Sequence, residues 1–118
     1  MTTHRNYQPW TLLVAISVAA CGSFPLPADR LASSEAAIRT AGEVGAGNEP
    51  KATLHLKLAK DQYEQAKALI KDGDNKRADY VLRRAEADAE LALALAKENN
   101  SKTDAQQFLD QLKAAQGK

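Results

Sequence analysis

The sequence predicts an all-α protein built around an antiparallel helical hairpin that extends to a three- or four-helix bundle. Two stretches carry apolar residues at alternating spacings of four and three, which is the repeat of a helix that packs along another helix. A short turn of Asp, Gly and Asn residues separates the two stretches, and such a turn joins antiparallel helices. Alanine fills many apolar positions, while Phe, Trp and Tyr make up 5% of the chain. The predicted core is therefore thin and closely spaced.

Each helix of the hairpin is predicted from its apolar seam. Asn48 and Pro50 suit the cap and first turn of the first helix, and residues 72–75 form the turn before the second. The seams are Ala52, Leu56, Ala59, Tyr63, Ala66 and Ile70, then Ala78, Leu82, Ala85, Ala89, Ala92 and Ala96. Because the second seam is mostly alanine, we expect a backbone separation near the lower end of about 8 to 10 Å. The three leucines of residues 91–95 point in several directions, so some must pack on another helix or on a partner.

Two further helices are predicted, one on each side of the hairpin. The first covers residues 29–44 and ends at the glycines of residues 45–47. The last follows a break at residues 99–102 and starts with Thr103 and Gln106, which fit a capping box. Their apolar stripes are Leu31, Ile38, Ala41 and Val44, and Ala105, Phe108 or Leu109, Leu112 and Ala115. Docking of these stripes on the hairpin gives the three- or four-helix bundle.

The N-terminal segment has the pattern of a secretory signal. Arg5 is its one firm positive charge, and the apolar run of residues 12–20 is shorter than the roughly 20 residues that cross a bilayer. The run ends in Val-Ala-Ala-Cys-Gly at residues 18–22, which resembles the lipobox of bacterial lipoproteins. An ordinary cleaved signal and a short uncleaved anchor are the alternatives. Because Cys21 is the only cysteine and stands where the motif requires one, we predict cleavage before it and lipid attachment to it.

These patterns divide the chain into three parts. Residues 1–20 are the predicted signal peptide, residues 21–28 the lipid anchor and proline-containing tether, and residues 29–116 the alanine-rich helical domain. Two or three acyl chains on Cys21 would hold the mature chain firmly to a membrane, whereas one chain holds only marginally. In lipoproteins of the enterobacterial type, an aspartate after the cysteine favours the inner membrane. Glycine and serine follow Cys21 here, so the resemblance implies the outer membrane and its periplasmic face.

The charge balance gives no indication of a nucleic-acid partner. The chain has 16 Lys plus Arg and 15 Asp plus Glu, and loss of residues 1–20 removes Arg5 and leaves no net charge. Such a balance provides no electrostatic footprint for nucleic acid. Opposite charges at helical spacing are expected to form solvated surface pairs. These pairs are Glu35 with Arg39, Lys60 with Glu64, Asp79 with Arg83, and Arg84 with Asp88.

The residue types argue against catalysis, a cofactor or a metal. The mature chain has one histidine, His55, and Cys21 is expected to carry lipid, so neither a nucleophile with its base nor a zinc site can be assembled. The glycines of residues 45–47 follow a helix instead of linking a strand to a helix, which indicates a helix stop. Asp72 and Asp74 lack the further ligands of an EF-hand loop. We therefore expect no enzyme, with His55 an exposed or half-packed helix residue.

Three parts of the sequence together have a recognisable pattern: residues 34–38, the corner at residues 46–50 and the stretch from Lys60 to Ala96. In these parts the chain resembles small bacterial lipoproteins with an alanine-rich helical domain known as domain of unknown function 4398. Relatives often carry an OmpA-like peptidoglycan-binding domain, which implies an envelope role. This chain shows no such domain before Lys118, so peptidoglycan binding is not carried over. No catalytic residue comes with the resemblance.

A second similarity concerns the hairpin alone. Residues 66–85 are arranged somewhat like one tetratricopeptide hairpin, a unit that is used in arrays to bind peptides. An array needs about three copies, and the sequence contains one. Close packing in any helical hairpin explains the same residues, and we prefer that interpretation.

The sequence thus predicts a membrane-anchored periplasmic lipoprotein that acts as a structural or adaptor module, with an envelope protein or a second copy as partner. The alternative is a binding module for a peptide or small apolar ligand in a groove between helices. Braun's lipoprotein is joined to peptidoglycan through its terminal lysine, so a link through Lys118 is a testable expectation. The basic and aromatic residues before that protein's lysine are absent here, and a solvated terminus is the default.

Overall fold

A computed structural model describes residues 23–117 and shows α-helices and no strand over that range. Helix α1 is Ala28–Glu43, α2 is Pro50–Lys71 and α3 is Asn75–Gln116, with a turn of 3-10 helix at Ala46–Asn48. The most extensive packing is between α2 and α3, while α1 lies chiefly on α3 and touches α2 less. The predicted all-α bundle is confirmed in its three-helix form.

The turn between α2 and α3 forms as the sequence predicts. Gly73 has φ +80°, a left-handed conformation that glycine adopts without a Cβ clash. Asp74 caps α3, because its Oδ1 accepts a hydrogen bond from Arg77 N at 3.2 Å. Asp74 N also donates to the Leu69 carbonyl at 2.9 Å, which satisfies one of the last carbonyls of α2. The chain therefore reverses within residues 72–74, and α2 and α3 run antiparallel.

The interface between α2 and α3 is an alanine seam. All predicted seam positions of α3 are buried, and those of α2 are buried except for the half-buried Tyr63 and Ile70. The buried seam residues are Ala52, Leu56, Ala59 and Ala66 of α2 and Ala78, Leu82, Ala85, Ala89, Ala92 and Ala96 of α3. Leu82 is the largest fully buried side chain in the described range. With so little side chain between the helices, a change of even one methylene at the seam alters the packing directly.

Helix α1 docks on the hairpin through its predicted stripe and one buried hydroxyl. Of the stripe residues, Ala41 is buried, and Leu31, Ile38 and Val44 are partly buried against the core. Ser34 is fully buried, and its Oγ lies 2.8 Å from the Arg30 carbonyl and 3.0 Å from the Leu82 carbonyl. Since the Leu82 carbonyl belongs to α3, this hydroxyl joins the two helices inside the core.

The corner between α1 and α2 differs from the prediction in its cap. Gly45 has φ +95° and follows the end of α1, as expected of a glycine stop. The 3-10 turn includes Asn48, so the extended residue before α2 is Glu49, whose carboxylate accepts a hydrogen bond from Ala52 N. The predicted Asn48 cap is therefore wrong, because the 3-10 turn places the cap one residue later. Pro50 occupies the first turn, as predicted.

Helix α3 continues where the sequence predicts a break and a fourth helix. Residues 99–102 are helical, and the Thr103 hydroxyl donates to the Asn99 carbonyl at 3.0 Å instead of capping a new helix. Glu98 and Lys102 form an ion pair at 2.6 Å along the same stretch. Asn and Ser cost about 0.7 kcal/mol or less in a helix relative to alanine, so they need not end one. The predicted fourth helix is wrong, and α3 is one helix of 42 residues, about 63 Å long.

The segment before α1 meets the end of the bundle where α2 turns into α3. Residues 23–27 form neither helix nor strand. The Asn75 side-chain amide donates to the Phe24 carbonyl at 3.0 Å. This contact places the predicted tether beside the N-terminal end of α3.

Candidate functional site

Two positions that the sequence singles out, Cys21 and Lys118, lie outside the described residues. The predicted signal peptide, residues 1–20, lies outside them as well. Within residues 23–117, no helix contains an apolar stretch long enough to cross a bilayer. No group of three or more His, Cys, Asp or Glu side chains in that range is placed to hold a metal ion.

A polar network lies between α2 and α3, and His55 belongs to it. His55 is half-buried, with its Nδ1 2.9 Å from Asp88 Oδ1, and Asp88 Oδ2 accepts a hydrogen bond from Gln62 Nε2 at 2.8 Å. Gln62 Oε1 is buried and has no hydrogen-bond partner in the described part of the chain. The half-packed position expected for His55 is confirmed, whereas the sequence pattern pairs Asp88 with Arg84. In a hairpin that turns at residues 72–74, the position opposite His55 lies within one helical turn of Asp88. The contact between His55 and Asp88 could therefore have been predicted from the register of the hairpin.

A second set of polar contacts joins α1 to the hairpin. Arg30 Nη1 donates to Glu86 at 3.0 Å, and Arg30 Nε lies 3.7 Å from Asp79. The Tyr63 hydroxyl donates to Glu35 at 3.2 Å. Partial burial of the phenol raises the pKa of Tyr63, and the negative charge of Glu35 raises it further. These contacts fix the position of α1 on α2 and α3.

The predicted surface ion pairs compete with contacts between helices. Asp79 and Arg83 form their pair at 2.9 Å. Glu35 and Asp88 instead accept hydrogen bonds from side chains of α2, and Glu64 pairs with Lys67 at 3.0 Å. A pair within one helix contributes only about 0.2 to 0.5 kcal/mol, so a partner on another helix readily replaces it.

An open cleft of about 500 Å³ lies beside the tether. One side of the cleft is lined by Phe24–Pro27, Arg30 and Ser33, and the other side is lined by Asp79 and Glu86. Arg30 is already paired with both carboxylates, and its hydrogen bond with Glu86 raises the pKa of the guanidinium. The cleft therefore combines a paired charge cluster with the apolar side chains of the tether.

Helix α3 extends well past the bundle. Asn100 Nδ2 donates to the Val44 carbonyl at 3.0 Å, and every residue of 101–117 beyond this contact is exposed. We call residues 101–117 the extension, which is about 25 Å long. Its large apolar side chains are Phe108, 60% exposed, Leu109, 49% exposed, and Leu112, 42% exposed. The apolar stripe predicted for a fourth helix is present, but it does not dock on the bundle.

The sequence moves the apolar residues of α3 to the opposite face at the level where α1 ends and α2 begins. Continuing the seam spacing beyond Ala96 leads to polar residues, namely Asn99, Thr103, Gln106, Asp110 and Lys113. The apolar residues Ala105, Phe108, Leu112 and Ala115 are displaced from that line by about half a helical turn. The extension therefore carries its apolar side chains on the face opposite the seam.

The same face of α3 is also exposed to solvent within the bundle, on the side that points away from α2. Followed from its N-terminal end at alternating spacings of four and three, it consists of Tyr80, Arg84, Ala87, Leu91, Ala94, Glu98, Ser101, Ala105, Phe108, Leu112 and Ala115. We call these residues the α3 stripe, and all of them are exposed. Of the three leucines in residues 91–95, Leu93 and Leu95 pack on the core, while Leu91 is 43% exposed on the stripe. The stripe has the repeat of a coiled-coil helix.

The comparison with protein families decides where this chain belongs. Residues 29–108 match the family described as Domain of unknown function (DUF4398). The chain belongs to this family. The DUF4398 match starts in the first turn of α1 and ends at Phe108, so it contains the whole bundle and about the first half of the extension. No curated protein and no solved structure matches the chain.

Proposed function

We propose that this DUF4398 protein is a lipid-anchored structural module of the bacterial cell envelope that presents an amphipathic helix to a partner. The observation that carries the proposal is the arrangement along α3. The tether meets one end of α3 through Asn75 and Phe24, and the extension leaves the other end. An anchor at Cys21 and the apolar side chains of the extension would therefore lie at opposite ends of a helix about 63 Å long.

The anchor in this proposal is lipid on Cys21, at the periplasmic face of the outer membrane. The lipobox-like residues 18–22 and the glycine and serine after Cys21 support it. The tether also supports it, because residues 23–27 form neither helix nor strand and lead directly into α1. Because Asn75 holds the Phe24 carbonyl at the end of the bundle, and Phe24 is three positions after Cys21, the lipid would lie within about 10 Å of that end.

The adaptor role in this proposal belongs to the extension. The alanine seam, the network around Asp88 and the buried Ser34 hydroxyl favour a rigid bundle. The extension has no such contacts, yet it carries Phe108 and Leu112 on one face. Exposed apolar side chains that share one face are typical of a surface that binds another protein. No catalytic step forms part of the proposed role.

The alternative is a binding module for a peptide or small apolar ligand in the cleft beside the tether. Phe24 and Leu26 supply apolar surface there. Binding pockets bury most of their ligand, whereas this cleft is open and its Arg30 is already paired with Asp79 and Glu86. These contacts favour the structural role over the binding module.

The anchor is tested by fatty-acid labelling of the full chain in cells. Cys21→Ala should lose the label, because the lipidated atom is the cysteine sulfur. The matched control is Ser23→Ala, which changes a nearby residue and should keep the label. Label retained in the Cys21→Ala variant would remove the lipid anchor from the proposal.

The adaptor role is tested by placing a photoreactive phenylalanine analogue in the extension of the full chain in intact cells. At Phe108, on the apolar face, irradiation should give a crosslinked product of defined mass. At Asp110, on the polar face of the same helix, it should give much less. No product at Phe108, or equal products at both positions, would contradict the proposal.

A further inference from the structure

We infer that the partner of the extension is a second copy of this chain, bound through antiparallel pairing of two α3 stripes. The inference rests on the proposed role of the extension as an interaction helix and names its partner. Three features support it. The α3 stripe is exposed and keeps a coiled-coil repeat, one register pairs Leu91, Phe108 and Leu112 with apolar residues of the second copy, and opposite charges flank the stripe.

The position of the stripe on α3 leaves room for a second helix. The seam faces α2, the Arg30 contacts bring α1 to the side of Asp79 and Glu86, and the stripe lies about half a turn from the seam. A second α3 can therefore approach without moving α1 or α2. The repeat is maintained from Tyr80 to Ala115, which is about 50 Å of helix.

One antiparallel register sets Leu91, Phe108 and Leu112 of the stripe against apolar residues, while Tyr80 lies outside the paired segment. It pairs Leu91 with the second copy's Phe108, Ala87 with its Leu112, and Ala94 with its Ala105. Leucine and phenylalanine are thereby placed opposite each other, and the bulk of Leu112 meets a small alanine. In the same register Glu98 faces Ser101 and Arg84 faces Ala115. Because the residues opposite Arg84 and Glu98 are small, the long side chains of Arg84 and Glu98 can bend outwards to solvent.

One pair of flanking charges is complementary in this register. Lys97 precedes Glu98 of the stripe and lies beside the second copy's Asp104, and the two-fold symmetry repeats the pair. Both side chains are exposed, and neither has an ion-pair partner within residues 23–117. Positions that flank a coiled-coil seam set the orientation of its helices through such pairs.

A parallel pairing of the same stripes brings like charges together. It places Arg84 against Arg84 and Glu98 against Glu98 in the centre of the interface, and it sets Lys97 beside Lys102 of the other copy. Like charges in contact destabilise an interface. In the antiparallel register Arg84 is far from its copy and the two Glu98 lie in adjacent layers instead of directly opposite each other, so the charges favour this arrangement over the parallel one.

The antiparallel pair has a consequence for the anchors. The two tethers leave from opposite ends of the paired rod, about 75 Å apart. Both lipids reach one membrane when the rod lies along its surface. Each bundle then covers the extension of the other copy, so Phe108 and Leu112 of both copies are buried.

Cysteine crosslinking in the full chain tests the arrangement. Ala94→Cys combined with Ala105→Cys should give a disulfide-linked dimer under mild oxidation, because these positions face each other across the interface. Within one chain they are about 16 Å apart on a rigid helix, too far for an internal disulfide. Each substitution alone should give no dimer above the parent chain, whose only cysteine is Cys21.

The outcomes separate the possible partners. A dimer from the double variant alone supports the antiparallel pair. Dimers from each single variant would show a parallel pair and overturn the inference. A double variant that stays monomeric would also overturn it. If that monomer still gives a photocrosslink from Phe108 to another protein, the adaptor role stands and only the second copy is wrong, whereas loss of both products contradicts both proposals.

A charge exchange tests the register independently. In the detergent-solubilised full chain, Lys97→Glu should raise the dimer dissociation constant about tenfold, because both symmetry-related pairs become repulsive. Adding Asp104→Lys should restore the parent value, since the pair is re-formed with reversed charges. A double variant as weak as the single one, or a single variant as tight as the parent, would overturn this register.

Discussion

The two parts of α3 share one helix but meet different surroundings. In residues 75–100 the seam face is alanine-rich and buried, while in the extension that face is polar and the opposite face is apolar. Both parts keep the same backbone hydrogen bonding, because neither contains a residue that breaks a helix. The comparison shows that helix formation and helix packing are encoded separately. The first depends on the residues along the chain, and the second depends on which face is apolar and what covers it.

The difference also determines how each part is stabilised. The bundle part has the alanine seam, the contact of its Leu82 carbonyl with the buried Ser34 hydroxyl of α1, and the contacts of Asp88 and Asn100. The extension alone is near the length at which an isolated helix is marginal in water, about 12 to 15 residues. It avoids the nucleation cost because it continues a helix that the bundle already holds. In a single chain, stability should therefore decline along α3 towards its C-terminus.

The largest expected effect separates two alanines on the same face of α3. Ala89 is fully buried in the seam, and its replacement by leucine should overpack the interface and cost about 1 to 3 kcal/mol in the free energy of unfolding. Ala114 lies one helical turn beyond Asp110, on the same side of α3 as the seam, and is exposed. Ala114→Leu should change the free energy by no more than about 0.5 kcal/mol. Urea unfolding of the two variants measures the contrast, and equal midpoints would mean that the seam ends elsewhere.

The same contrast shows what could be predicted from the sequence. The seam of α3 was predictable because its spacing and the turn at residues 72–75 are local patterns that agree with each other. The continuity of α3 was not, because Asn and Ser occur at helix ends and within helices alike, and Asn100 is held by the Val44 carbonyl of a distant segment. The side-chain partners of Glu35 and Asp88 depend on the register between helices, which spacing within one helix does not contain.

The next effect concerns two neighbouring serines of α1. Ser34 is buried with its hydroxyl near the Leu82 carbonyl, whereas the half-buried Ser33 contacts only the Arg30 carbonyl of its own helix, at 3.1 Å. Ser34→Ala should lower the free energy of unfolding by about 1 kcal/mol relative to Ser33→Ala. Alanine raises the helix propensity equally at both positions, so the pair isolates the contact with α3. If the two variants unfold at the same urea concentration, the buried hydroxyl does not join α1 to α3.

A smaller effect should appear at alkaline pH and should be confined to the bundle. The pKa of Tyr63 is raised by partial burial and by Glu35, so the folded state retains the phenol proton more firmly than the unfolded state does. The protonated phenol contributes its full amount to the free energy of unfolding below the ordinary tyrosine pKa of about 10. This contribution is lost as the pH rises through the higher pKa of the folded state. The stability difference between the parent and Tyr63→Phe should therefore shrink above about pH 10. A difference that stays constant across that range would show that Tyr63 is not linked to folding.

The smallest effect belongs to the junction between the two parts of α3, where Glu98 and Lys102 pair. The hydrogen bond from Lys102 lowers the pKa of Glu98, and the positive charge of Lys102 lowers it further. Because the pKa of Glu98 is lowered in the folded state, the ionised carboxylate stabilises that state above the ordinary glutamate pKa. This stabilisation is lost as the pH falls through the pKa of the folded state. Both side chains are exposed, so protonation should loosen the first turns of the extension and leave the bundle unchanged.

NMR chemical shifts of the backbone can resolve this effect residue by residue. Between about pH 6 and pH 3, residues 101–105 should lose some helical shift, while the seam residues of α3 should not. In Glu98→Gln the extension should have the reduced helicity at both pH values, because the neutral amide cannot form the charged pair. The pair lies where the bundle ends and the single helix begins, so its loss should act on one side only. An equal loss in the parent and in Glu98→Gln would assign the acid effect to other carboxylates, and a loss that spread to Ala89 would show that the bundle and the extension unfold together.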